Sequence, residues 1–120
     1  MARDDHDATR VILTTLPDGE TAETLVRRLV DERLAACGNI VPGLVSLYWW
    51  QGAVERASEV LVILKTVEGV VPALLKRLPV LHPYAVPEIL VLPIAAGHAP
   101  YLEWVARETA GAESPPRRSS

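Results

Sequence analysis

The chain has 120 residues, 49% of them hydrophobic, and a formal net charge of −3. This is the size of one domain with enough apolar side chains for a core, and the acidic balance argues against binding a nucleic-acid backbone as the main task. No apolar run is long enough to span a membrane, and the single cysteine, Cys37, excludes an internal disulfide and favours a reducing, cytoplasmic compartment.

The N-terminal half of the sequence predicts a strand, a helix and the first strand of a hairpin. Residues 1–9 are polar and predict a disordered segment. A β-branched run predicts β1 at 11–15, and apolar residues at helical spacing predict α1 at 21–35, capped by Asp18 or Thr21. A long apolar and aromatic stretch predicts β2 at 37–50.

Pro and Gly mark the bend and the turn of the hairpin that β2 begins. Pro42-Gly43 predicts a bulge inside β2, and Gln51-Gly52 predicts the turn, because glycine supplies the positive φ that tight turns need. The return strand β3 is predicted at 53–66. Residues 60–64, VLVIL, are apolar on both alternating faces, so we expect both faces of the sheet to be covered there.

The C-terminal half predicts two further helices and one strand. The pattern places α2 at 68–79, where Pro79 is expected to end it, β4 at 88–94 and α3 at 100–109. Residues 110–120 are small, polar and rich in Pro, and predict a disordered tail.

The order of these elements predicts an α+β fold in one domain over residues 10–109. Strand-helix-strand-strand-helix-strand is the βαββαβ order of the ferredoxin-like split βαβ arrangement, here with a long β2–β3 hairpin and an extra C-terminal helix. Right-handed crossovers then place both main helices on one face of an antiparallel sheet.

The length of the hairpin predicts that the chain associates with copies of itself. A strand over 37–50 spans about 46 Å, whereas a helix of the length of α1 covers only about 22 Å. The overhang carries Tyr48, Trp49 and Trp50, and an uncovered apolar arm favours aggregation unless a partner chain shields it. The alternative is a hairpin that curls back on its own sheet.

Four segments, in chain order, carry a family resemblance. Residues 30–43 read VDERLAACGNIVPG, residues 46–52 read SLYWWQG, residues 82–89 read HPYAVPEI and residues 101–104 read YLEW. Together they resemble the signatures of the CutA family of divalent-cation tolerance proteins, over about residues 10–108. The resemblance implies a ferredoxin-like homotrimer held by its hairpins, a link to copper or other divalent metals, and kinship with PII signalling trimers, which bind small effectors between subunits.

Some family positions are occupied differently in this chain. Ala53 and Ala85 stand where the family often has a lysine and an acidic residue. Leu81 and Thr14 stand where some members have a histidine and a cysteine. A copper site built from that cysteine and paired histidines would keep only His82 here.

Two side chains are candidate metal ligands, and each has a structural alternative. Cys37 could bind a soft ion as thiolate, or be a small apolar side chain of the core. His82 could offer one imidazole nitrogen to a metal, or be held by hydrogen bonds where the helix meets the loop. Stable sites need three or four ligands, so a metal at His82 would require copies from sister chains. The resemblance implies copper or another divalent cation as the ligand, and no cofactor is required.

A second candidate site consists of polar residues at strand ends. These residues are Lys65, Tyr84 and Glu88, and they could line a cleft between subunits and bind a small anion or effector. Alternatively, they could hold the subunits of the trimer together by an ion pair and a hydroxyl hydrogen bond. Tyr48 and Trp50 could stack on a ligand, or pack in the interface.

Enzymatic and RNA-binding functions are not predicted. The turn after β1, LPDGE, is acidic and lacks the arginine of an acylphosphatase anion loop. The sequence also has no motif that pairs a catalytic nucleophile with a general base. The central strands lack the aromatics of an RNA-binding sheet. We expect a homotrimeric binding protein with weak divalent-metal affinity, or alternatively a metabolite or anion sensor that uses the same clefts.

Overall fold

The computed structural model describes residues 5–111 of the chain. Four strands and three α-helices follow the predicted order. They are β1 (Thr9–Leu16), α1 (Gly19–Asp31), β2 (Cys37–Trp50), β3 (Ala53–Val67), α2 (Val71–Leu81), β4 (Ile89–Pro93) and α3 (Ala99–Glu108).

The strands form one antiparallel sheet in the order β2-β3-β1-β4, so the predicted α+β class with an antiparallel sheet is confirmed. Alternate residues of β1 and β3 point to what we call the inner face of the sheet, including Ile12, Val62 and Leu64, none of them exposed. Helices α1 and α2 complete this core with Leu29 and Leu74, among others.

The opposite, outer face of the sheet is apolar but incompletely covered. It carries Val11, Leu13, Leu61, Ile63, Leu90 and Leu92, which follow from the register of β1 with β3 and β4. Leu90 is 50% exposed and Leu92 is 41% exposed. The expectation that both faces are covered over residues 60–64 is therefore met within one chain on the inner face only.

Helix α1 ends four residues before its predicted end. The chain turns out of the helix at Arg33, whose φ is 63°. The amide of Leu34 then donates to the carbonyl of Leu29, and the amide of Arg33 donates to that of Val30. This is the hydrogen-bond pattern of an α-helix that ends in a residue with left-handed backbone conformation, and that residue is usually glycine. Leu34 is therefore buried in the core, as its apolar spacing suggests, although it lies beyond the end of the helix.

The start and end of α2 also differ from the prediction. Glu68–Val70 form a separate 3-10 turn, and the α-helix continues through Pro79 to Leu81. A proline inside a helix removes one hydrogen bond, but the amide of His82 still donates to the carbonyl of Leu78 and closes the last turn. Pro79 therefore weakens this last turn without ending it.

The N-terminal end is ordered further than predicted. Asp5–Asp7 form a 3-10 turn, and Ala8 accepts a hydrogen bond from the amide of Glu68. Strand β1 then begins at Thr9, which pairs with Val67. This backbone pairing corrects the expected disorder for residues 5–9, while the disorder expected for 1–4 and 112–120 lies outside the described residues. Within residues 5–111, no helix has the length and apolarity of a membrane span.

Replacing Gly38 by alanine is expected to destabilise the chain by about 1–3 kcal/mol, because the core there has no room for a methyl group. A Cβ at Gly38 would lie 2.7 Å from Cγ1 of Val26 and 2.9 Å from Cδ2 of Leu64. Denaturant unfolding measures the loss. Gly19→Ala is the control, since a Cβ there meets nothing within 4 Å. Equal stability of the two variants would contradict the packing.

Candidate functional site

The hairpin turns where the sequence predicts and projects beyond the core. Gln51 and Gly52 have φ of 51° and 85°, and Trp50 pairs with Ala53 across the turn. Trp49 is 75% exposed and Trp50 is 57% exposed. The described chain extends 51 Å along its longest axis, with a radius of gyration of 15.4 Å, against about 13 Å for a compact domain of 100 residues. The expected overhang is therefore present.

A bulge in β2 decides which face of the sheet receives the aromatic side chains. Val41 pairs with Leu61 and Leu44 pairs with Glu59, so β2 uses one residue more than β3 between these pairs. Gly43 takes a φ of 80° within this bulge, as predicted for Pro42-Gly43. An extra residue reverses the alternation of every residue that follows. Tyr48 therefore lies on the outer face, opposite Glu55.

A cavity of about 920 Å³ lies where the hairpin leaves the sheet, and we call it the hairpin-base cavity. Its walls come from β2, β3, the end of β1 and the loop before β4. The lining residues used below are Thr15, Tyr48, Trp50, Glu55, Glu59, Tyr84 and Glu88.

Hydrogen bonds fix the loop before β4 against β1 and β3. The hydroxyl of Tyr84 donates to Oε2 of Glu59 at 2.7 Å. Nδ1 of His82 accepts from the amide of Tyr84 at 3.1 Å, and Nε2 of His82 lies 3.0 Å from the carbonyl oxygen of Thr15 and 3.1 Å from Oγ1 of Thr14. These contacts assign the proton of neutral His82 to Nε2, which donates to Thr15. His82 therefore positions Tyr84.

Burial shifts the acid-base behaviour of both rings. Burial lowers the pKa of His82, and the nearby Thr15 and Glu59 oppose this only partly. Burial, followed by the hydrogen bond to Glu59, raises the pKa of Tyr84 well above its usual value of 10.0. At neutral pH, His82 is uncharged and Tyr84 stays a hydrogen-bond donor.

The charge of the hairpin-base cavity is negative. Three of its lining residues are the carboxylates Glu55, Glu59 and Glu88, and no lysine, arginine or histidine is among the described residues that line it. Within one chain this lining repels anions. It therefore does not favour the predicted anion ligand.

The structure brings together only part of the predicted cleft. Tyr84 and Glu88 both line the hairpin-base cavity. Lys65 does not, because it pairs with Val11 and Cys37 further along the sheet, where its Nζ donates to Oδ1 of Asn39.

Three lining residues, Thr15, Glu55 and Glu59, were not predicted to line a site. The register set by the turn would have placed Glu55 opposite Tyr48. Alternation along β3 places Glu59 on the same face as Glu55, and only its pairing with Leu44 depends on the bulge.

The two predicted metal ligands have separate partners. Sγ of Cys37 lies 3.4 Å from the hydroxyl of Tyr101, and burial, followed by this contact, raises the pKa of Tyr101 to about 12. Both ring nitrogens of His82 are already engaged. Residues 5–111 contain no group of three or more His, Cys, Asp or Glu that could hold a metal ion. Within one chain, the residues that the structure describes therefore do not fit a bound copper ion.

Comparison with known proteins assigns the fold and the sequence to one family. The model of the CutA1 divalent ion tolerance protein family matches residues 10–108. The chain belongs to the CutA1 family. It is 52% identical over 99 residues to the divalent-cation tolerance protein CutA of Thermus thermophilus, covering 82% of this chain and 96% of that protein.

Two further relatives show how far the CutA1 similarity extends. The crystal structure of CutA from Xylella fastidiosa superposes with a TM-score of 0.83 at 41% identity, covering 85% of this chain and 98% of that one. The chloroplastic CutA 1 of Oryza sativa is 43% identical over 99 residues, which are 82% of this chain and 56% of that protein. The chain thus spans nearly all of the two bacterial proteins and about half of the rice protein.

Proposed function

We propose that the chain serves divalent-cation tolerance as a cytoplasmic homotrimer of ferredoxin-like domains, by binding rather than by catalysis. The observation that carries this proposal is the uncovered apolar surface of a single chain. Leu90 and Leu92 on the outer face and Leu47 and Trp49 on the hairpin are between 41% and 75% exposed. The register places Leu47 and Trp49 on the face of the sheet opposite to Leu90 and Leu92, so these are two separate apolar surfaces. Monomeric proteins rarely expose large apolar patches, and sister chains packed on both surfaces would remove them from water.

Light scattering on the full chain tests the assembly. The expected result is the mass of a trimer that persists on dilution, because the buried outer face and hairpin would make the interface large and apolar. A monodisperse single chain that stays folded would contradict the proposal. Turnover of an acyl phosphate or phosphoester, lost on replacing one residue, would contradict the binding role.

Weak binding of copper or another divalent cation is the narrower part of the proposal. Since residues 5–111 of one chain do not assemble a ligand set, the ligands would have to come from more than one chain of the trimer. Calorimetric titration with Cu(II) and Cu(I) tests this, with Cys37→Ala and His82→Gln as variants. Saturable copper binding that either variant weakens supports the proposal. If both variants bind copper with the affinity of the unmodified protein, a role for these two residues is contradicted.

The second candidate is a sensor of a small metabolite, with metal tolerance as an indirect result. The hairpin-base cavity favours it, because about 920 Å³ is within the size range of pockets for small organic ligands. Titration with a panel of nucleotides, organic acids and amines distinguishes the candidates. A saturable organic ligand together with absent copper binding would favour the sensor.

A further inference from the structure

Helix α3 is fastened at both ends to the segment that leads from α1 into β2. At the C-terminal end of α3, the guanidinium of Arg33 donates to the carbonyl oxygen of Glu108 at 3.1 Å and to its carboxylate at 2.7 Å. In the first turn of α3, the hydroxyl of Tyr101 lies 3.4 Å from Sγ of Cys37. The two contacts follow opposite chain directions, so α3 lies antiparallel to residues 33–37.

The position of α3 in the chain allows it to detach while the sheet stays paired. The last strand of the described residues, β4, ends before α3 begins. The helix packs against β1 and β3 and has only ten residues, and a helix of this length is marginally stable in water without packing partners. Its anchor in the core is Val105, which is fully buried. Helix α3 therefore has the features of a small unit that opens locally.

The side chain that α3 holds in place is the only thiol of the chain. Cys37 is partly buried at the start of β2, and the hydroxyl of Tyr101 is within hydrogen-bond distance of it. The ring of Tyr101 is held by Trp104 of the same helix, with ring centroids 5.7 Å apart, and Trp104 packs against the core. Detachment of α3 therefore removes Tyr101 from the thiol.

We infer that α3 is a cover over Cys37, fastened by the pair of Arg33 and Glu108, and that its opening sets the rate at which the thiol reacts. The cover and the thiol belong to the same chain, so the inference does not depend on the assembly. It also does not depend on a role of Cys37 as a metal ligand, because it concerns access to the thiol alone.

Labelling of Cys37 by iodoacetamide in the folded full chain tests the inference. Arg33→Asn removes the guanidinium, and asparagine tolerates the left-handed φ of 63° at this position. The labelling rate is expected to rise about fivefold, the effect of losing one solvent-exposed ion pair. Iodoacetamide is uncharged, so removing a cation does not change the attraction of the reagent. Circular dichroism confirms that the variant is folded.

Arg107→Gln is the matched control for the fastening. It removes a guanidinium that lies 3.9 Å from the same carboxylate of Glu108, but Arg107 belongs to α3 and so does not fasten the helix to the segment beneath it. This variant is expected to label at the rate of the unmodified protein.

Labelling at low urea concentrations separates opening of α3 from unfolding of the whole chain. Opening of one short helix exposes little surface, so the labelling rate is expected to depend weakly on urea, whereas unfolding of the whole chain depends on it steeply. A steep dependence in the unmodified protein would overturn the inference.

Three further outcomes would overturn it. These are an unchanged labelling rate in Arg33→Asn, the same increase in Arg107→Gln, or a thiol that labels in none of the folded proteins. Light scattering on the same samples separates the inference from the proposed assembly. A trimer in which Arg33→Asn labels no faster overturns the inference alone. A single chain in which Arg33→Asn labels faster overturns the assembly alone.

Discussion

Leu90→Lys is expected to convert the proposed trimer into single chains that keep their fold. The side chain of Leu90 is 50% exposed on the outer face of an isolated chain and opposes Leu13 of β1. A lysine there remains solvated in a single chain, but assembly would bury its ammonium group without a partner, at a cost of several kcal/mol per subunit. The measurement is mass by light scattering together with circular dichroism.

Val80→Lys is the matched control for the assembly prediction. Val80 is 72% exposed on α2, near the C-terminal end of the helix, where a cation is favourable. This variant should keep the mass of the unmodified protein. A trimer that survives Leu90→Lys would show that the outer face is not the interface.

His82→Ala is expected to destabilise the chain by about 3 kcal/mol, because it leaves several polar groups without partners. The ring contacts the carbonyl oxygen of Thr15, Oγ1 of Thr14 and the amide of Tyr84, and each buried group left unsatisfied costs about 1–3 kcal/mol. Chemical denaturation measures the loss. His98→Ala is the control, since His98 is exposed and its side chain does not cap α3, so we expect a change within about 0.5 kcal/mol.

The same residue predicts a pH dependence of stability. Because burial lowers the pKa of His82 below its ordinary 6.5, the unfolded chain binds more protons than the folded chain as pH falls below that value. The contribution of neutral His82 is therefore complete above pH 6.5 and is lost as pH falls through the folded pKa.

Thermal unfolding from roughly pH 8 down to roughly pH 5 measures this dependence. The unmodified protein should lose stability below pH 6.5, and His82→Gln should lose less. Arg77 lowers the pKa of Glu32 below its ordinary 4.5, so Glu32 contributes its loss at lower pH, outside this window. Parallel curves for the two proteins would contradict the assignment of neutral His82.

Local signals in the sequence determined the elements, their order and the class of fold. Val, Ile and Leu at alternating or helical spacing located every strand and helix, and Gly43 and Gly52 marked the bulge and the turn, because their φ of 80° and 85° is available to few other residues. The predicted helix ends were less accurate, since Arg33 adopts a left-handed backbone without being glycine, and α2 continues two residues beyond Pro79, to Leu81.

The composition of the candidate site depended on the tertiary structure. Tyr84 and Glu88 are close in the sequence, but Glu59 joins them only in the folded chain, where the loop before β4 packs against β3 and the hydroxyl of Tyr84 donates to Glu59. Lys65 lies on the same face of β3 but six residues beyond Glu59, so within one chain it does not line the cavity. Pairing across strands depends on contacts between distant residues, which no local pattern encodes. The sequence by itself therefore determined which residues form the hairpin, and the register of the folded sheet decided which of them share a cavity.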